Sequence, residues 1–194
     1  MNLGSLRPAI GFFTTSLDAT QSSHRSWTFP TILGVFLHTL EEEYGRRDTD
    51  YTFLGIEFFD GGPLILYQSR KQLTIALSAD AAHEPSRALW QLAHEAVHLL
   101  APTGDQNIPV VEEGLATIFA NRAFAEWGYG WKDSASPPYI AAAEVTARWI
   151  ELFPKAIASV RAIEPCFARW TAATIQMGCP GTPDELAKSL CARF

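Results

Sequence analysis

Pro85-Ser86-Arg87-Ala88-Leu89-Trp90-Gln91-Leu92-Ala93-His94-Glu95-Ala96-Val97-His98-Leu99-Leu100 is the stretch that decides how this chain is read. After Pro85 it holds good helix formers with no Gly or Pro, and it stops before Pro102 and Gly104, so both ends of a helix are marked. Leu89, Leu92, Ala93, Ala96, Val97 and Leu100 recur at three- and four-residue intervals, the stripe of a buried helix face. His94 and His98 stand four residues apart in this helix, which brings both imidazoles to one face, one turn apart. Buried charge without a partner is costly, so a histidine pair beside a glutamate needs a partner, and a metal ion supplies it. Both rings can reach one Zn²⁺ through ring nitrogens at about 2.0–2.1 Å. Glu95 lies about 100° further round the helix, off the ligand face but near enough to take a proton from a water on the metal. That is the role of a general base, which later returns the proton to a leaving group.

Two histidines leave a catalytic zinc site short of one protein ligand. Downstream, past Pro102-Thr103-Gly104-Asp105-Gln106-Asn107, the chain reads Ile108-Pro109-Val110-Val111-Glu112-Glu113-Gly114-Leu115-Ala116-Thr117-Ile118-Phe119-Ala120. Asn107 suits an N-cap and Pro109 a first helical turn, so a second helix is expected here. The short connection favours an antiparallel return that brings a carboxylate back to the histidines. Glu113 shares its face with Ala116, Thr117, Ala120 and Asn121, small residues that permit close approach, so it is the better-placed ligand. Glu112 is its rival, though a first-turn carboxylate also complements the helix dipole. Gly114 costs about 1 kcal/mol in a helix interior relative to Ala, which points to tight packing or access to the metal.

The pairing of HEAVH at 94–98 with EEGLA at 112–116 resembles the gluzincin metallopeptidases, in which a glutamate from a downstream helix joins the HExxH histidines. The resemblance covers little more than residues 86–125. It implies His94, His98 and Glu113 as zinc ligands, Glu95 as general base and acid, and a peptide or protein substrate. The chain departs from the pattern in two ways. Fourteen residues separate His98 from Glu113, fewer than in the large aminopeptidases. Thermolysin-like members also carry an aspartate four residues after the ligand glutamate, orienting a ligand histidine, where this chain has Thr117. Were Thr117 to accept an imidazole N–H, the support around the ligands would be neutral and metal binding weaker.

At 194 residues and 47% hydrophobic, the chain can bury one sizeable core, and a single compact domain over 1–194 is expected, with 1–28 as a loose arm. A net charge of −6 with scattered basic residues offers no footprint for nucleic acid or an anionic membrane. No apolar run approaches the ~20 residues of a membrane-spanning helix. Ala9-Ile10-Gly11-Phe12-Phe13 is too short for a signal peptide, which points to a cytoplasmic protein. Cys166, Cys179 and Cys191 are odd in number and widely spaced, and read as free thiols rather than a disulfide or zinc ligands.

Ser- and Thr-rich residues 14–27 read as a loop. Thr31 to Tyr44 reads as a helix with Leu33, Phe36, Leu37 and Leu40 inward, ending at Gly45, and His38 on it is a packed or surface residue. Tyr51–Phe59, Leu64–Gln68 and Leu73–Ser78 read as three strands of a short antiparallel meander. Leu73, Ile75 and Leu77 alternate with Thr74, Ala76 and Ser78, as in a half-buried strand. In gluzincins a strand near the active-site helix borders the cleft and pairs with substrate. Gln72–Ser78 is the natural candidate; the alternative is an internal strand packed under the helix.

Beyond Asn121 the chain reads as helical and aromatic, with Trp149, Ile150, Phe153, Phe167 and Trp170 as core. A peptidase also needs a donor for the developing oxyanion. Tyr139, Tyr129, His83 and Arg148 are eligible, with Tyr139 first because it opens a helix after a Pro-rich loop. The expectation is thus an α+β fold: a short antiparallel sheet, an HExxH helix, a glutamate-bearing helix and a helical C-terminal region. Its function would be zinc-dependent peptide hydrolysis. The rivals are a non-catalytic or regulatory zinc module on the same scaffold and a zinc hydrolase of non-peptide amides.

Overall fold

The computed structural model describes residues 28–104, 108–127 and 136–194. The fold is α+β, with a small mixed sheet and a helical C-terminal region. The expected 14–27 loop, the expected arm up to residue 27, the Asn107 cap and Tyr129 lie outside the described residues.

α1 (Phe29–Tyr44) starts where the Thr28 side chain accepts the Thr31 N–H and ends at Gly45, whose φ of 93° suits glycine. Its stripe of Ile32, Leu33, Phe36, Leu37 and Leu40 is buried, whereas His38 is a surface residue 3.3 Å from Glu42. β1 (Thr52–Phe59), β2 (Leu64–Ser69) and β3 (Gln72–Ser78) follow. They do not form the expected meander. Their order is β1-β3-β2, with β1 parallel to β3 and β2 antiparallel to it. The Arg70-Lys71 turn makes a true hairpin. Asp60-Gly61-Gly62-Pro63 instead carries the chain past the place β3 later fills, and Pro63 has no N–H with which to begin a ladder.

β3 is therefore the central strand, and the edge-strand reading of Gln72–Ser78 is corrected. Leu73 through Leu77 are all buried, including Thr74 and Ala76, which the alternation had placed outward. The two edges of the sheet are β1, which packs on α1 through Phe58 and Phe29, and β2. A 3-10 turn at Ala79–His83 leads into α2 (Pro85–His98), the predicted helix. Gln91 fastens α2 to the end of β3: its Oε1 accepts the Ser78 N–H at 3.0 Å and its Nε2 donates to Ser78 Oγ at 2.7 Å.

α3 (Val110–Glu126) returns antiparallel beside α2, with Pro109 itself at the N-cap position. On its small face Ala116, Thr117 and Ala120 are buried, whereas Asn121 is exposed. Gly114 packs elsewhere: a Cβ there would overlap Thr146 Oγ1 and the Ala142 carbonyl of α4 (Pro137–Leu152). Gly114 thus allows α4 onto α3 rather than opening the ligand face. α5 (Ala156–Arg161), α6 (Ala172–Gly178) and α7 (Asp184–Cys191) complete the chain. Trp149, Phe167 and Trp170 are core, with Ile150 and Phe153 packed against it, and the three cysteines are free.

One buried cation holds the far end of α2. Arg161 donates to the carbonyls of Tyr44, Gly45, Arg46, Leu100 and Pro165, joining the ends of α1 and α2 to α5. Burial lowers its pKa to about 10, against the opposing charge of Glu112. No helix among the described residues is long and apolar enough to cross a membrane.

Candidate metal centre

α2 and α3 face each other in antiparallel register, and their facing side chains meet at its ligand end. His94 Nε2 lies 3.1 Å from Glu113 Oε2, and His98 Nε2 lies 3.9 Å from Glu113 Oε1. One ligand atom from each of His94, His98 and Glu113 falls within 4.8 Å of the others. Ligands about 2.0–2.1 Å from a tetrahedral zinc stand about 3.3 Å apart, so this set fits one zinc ion with little movement. His94, Glu95 and Glu113 are buried and His98 is nearly so.

Glu112 points to the other side of His98. His98 Nδ1 donates to Glu112 Oε1 at 2.9 Å, which leaves Nε2 as the nitrogen turned toward Glu113. Glu112 is thus the carboxylate that orients the His98 ring, and the hydrogen bond from an imidazole N–H to Thr117, considered from the sequence, is not formed. Thr117 Oγ1 is buried and makes no hydrogen bond, and His94 Nδ1 is likewise buried and unpaired. The immediate support is therefore charged at one histidine and absent at the other. Sequence spacing held the signal for Glu112: in an antiparallel pair its neighbour across the helices is His98.

Electrostatics follow from this packing. Burial disfavours a charged His98, but the hydrogen bond to Glu112 and the charges of Glu112, Glu113 and Glu95 outweigh it, raising the pKa to about 10. Burial pushes the Glu95 carboxyl above its ordinary value, against the pull of His98 and His94. For Glu113, burial raises the pKa, and the hydrogen bond from His94 with the charges of both histidines overcomes it, so the net shift is downward.

His94, Glu95, His98, Glu112 and Glu113 all open onto a cavity of about 610 Å³. α2 forms its floor, from Arg87 through Gln91 and His94 to His98; Leu64, Ile65 and Tyr67 of β2 form one wall. Tyr139, from the start of α4, lines the opposite side, its ring edge-on to His94 at 5.7 Å. Burial, then the charges of Glu113 and Glu95, raises the Tyr139 pKa and keeps its hydroxyl a donor. Of the other oxyanion candidates, His83 is exposed at the end of the 3-10 turn. Arg148 lines a separate groove between α4 and α7. Sequence reasoning also missed Trp90, whose ring stacks on His94 at 5.4 Å, and Asn121, which accepts the Trp90 indole N–H at 2.9 Å.

No family model matches the chain, and no curated protein or solved structure does.

Proposed function

We propose that this chain is a zinc-dependent peptidase of the gluzincin type, with His94, His98 and Glu113 holding the metal. The observation that carries the reading is the position of Glu95. A carboxylate that is no part of the ligand set, next to His94 in the same helix, is buried and opens onto the cavity that holds both histidines. A zinc site kept only for structure is closed and has no use for a general base.

Zinc held there supplies Lewis acidity to a water and to the substrate carbonyl. Glu95 accepts the proton that the attacking water loses and delivers it to the amine that departs. Its burial strengthens its hold on that proton between the two events. The Tyr139 hydroxyl, which keeps its proton, donates a hydrogen bond to the carbonyl oxygen as negative charge develops there. Glu112 holds the His98 ring through Nδ1. An extended peptide would add to the outer edge of β2, which no other strand covers among the described residues, with apolar side chains against Leu64, Ile65 and Tyr67.

The test is a broad peptide library, with products read by mass spectrometry, for wild type and Glu95→Gln. The expected result is cleavage by wild type and at least about 10²-fold less by the variant, at unchanged zinc content. Equal rates reject Glu95 as the base. Wild type that binds zinc and cleaves nothing favours the regulatory module.

A further inference from the structure

The support around His94 is unusual for a buried ligand imidazole. A metal-binding histidine ordinarily donates its second ring nitrogen to a carboxylate, carbonyl or water, which fixes tautomer and ring angle. His94 Nδ1 has no such bond, and neither does Thr117 Oγ1. The register of α2 on α3 relates the two. His98–Glu112 and Trp90–Asn121 are the cross-helix bonds on either side. Four residues on from Trp90 and four back from its partner Asn121, His94 and Thr117 stand at the same level of the helix pair.

The rotation of an imidazole about its Cβ–Cγ bond is broad and poorly fixed by rotamer preference. Something else must hold it. The Trp90 ring lies against the His94 ring with their planes 26° apart and centroids at 5.4 Å. Trp90 is itself buried and fixed by its N–H to Asn121. The edge of Tyr139 also abuts His94, at 5.7 Å.

We infer that Trp90, locked by Asn121, is the positioning residue for His94, and that its stacked ring takes the place of the carboxylate that would otherwise orient that ligand. The inference rests on the proposed zinc site and deepens it. Trp90 acts by limiting imidazole rotation, Asn121 by limiting that of Trp90. A carboxylate introduced at position 117 should make the stack dispensable, because Nδ1 then has an acceptor.

The experiment uses the full chain and zinc or cobalt alone. Zinc affinity is measured by chelator competition and ligand geometry by the visible spectrum of the cobalt-loaded protein. The variants are Trp90→Leu, Trp90→Phe, Asn121→Ala, and Trp90→Leu with Thr117→Asp. Trp90→Leu should weaken zinc by on the order of tenfold or more and alter the cobalt spectrum. Trp90→Phe, which keeps a flat ring, should restore most of both, and so should Thr117→Asp added to Trp90→Leu. Asn121→Ala, at an exposed position of α3, should weaken zinc in the same direction and carries the test if Trp90→Leu does not fold. Unchanged zinc affinity and spectrum in the Trp90 or Asn121 variants overturn the inference while leaving the zinc site standing. So does a loss that neither Phe nor Thr117→Asp repairs, because that is what simple core damage gives. Wild type that takes up no metal overturns both.

Discussion

His98 Nδ1 donates to Glu112 Oε1 at 2.9 Å, so the glutamate adjacent in sequence to the candidate ligand Glu113 grips the same histidine from the opposite nitrogen. Adjacent residues on a helix point about 100° apart, so one glutamate can face the ion while its neighbour reaches round the imidazole. The doublet Glu112-Glu113 thereby divides into two tasks.

That division predicts a graded response to neutralising each carboxylate. Glu113→Gln removes a charged ligand and should nearly abolish tight zinc binding. Glu112→Gln leaves the ligands in place but weakens the acceptor that orients His98, and should cost about 10–100-fold in zinc affinity. Chelator competition on both variants checks this. A larger loss for Glu112→Gln would exchange their roles.

Proton linkage follows from the raised pKa of His98. Its value moves from 6.5 to about 10, so in the metal-free protein the ring is charged at neutral pH. A raised pKa stabilises the folded state fully below about 6.5, and that contribution is lost as pH climbs through about 10. A ligand imidazole must be neutral, so zinc has to displace the proton from His98 Nε2. Zinc uptake at pH 7 should therefore release a proton, and apparent affinity should rise with pH. Titration calorimetry in buffers of differing ionisation enthalpy measures this directly; heat independent of buffer would mean that His98 is already neutral.

Tyr139→Phe keeps the ring against His94 and removes only the hydroxyl. Loss of a single oxyanion donor typically costs about 10²–10³-fold in kcat. That loss is expected here with zinc affinity unchanged and KM little altered. Steady-state kinetics on any peptide found to be cleaved gives the answer, and a kcat equal to wild type would remove Tyr139 from the chemistry.

Much of this architecture could be read before the structure because its signals are local. The α1 stripe, the Gly45 stop and the HEAVH spacing depend on residues close in sequence. Strand order was not legible, because β1 and β3 pair across an intervening strand and nothing local records that choice. Thr74 and Ala76 misled: their small side chains alternate like an exposed face, yet a central strand buries them. The Glu112–His98 and Trp90–Asn121 bonds depend on helix register, which becomes readable once one cross-helix pair is known. Thr117 stands where the resemblance implies an aspartate. Its hydroxyl takes no imidazole N–H; Glu112 bonds His98 instead, and Trp90 stacks on His94 from one turn upstream, neither of which residue spacing alone displays.

Zinc content of the purified chain, measured by elemental analysis after exhaustive dialysis and again after zinc is added back, bears most directly on the proposed metal centre. One zinc per chain is expected in the wild type. His94→Ala and His98→Ala should each fail to retain it while keeping their helical circular dichroism. Wild type that contains no metal and takes up none from added zinc would contradict the account.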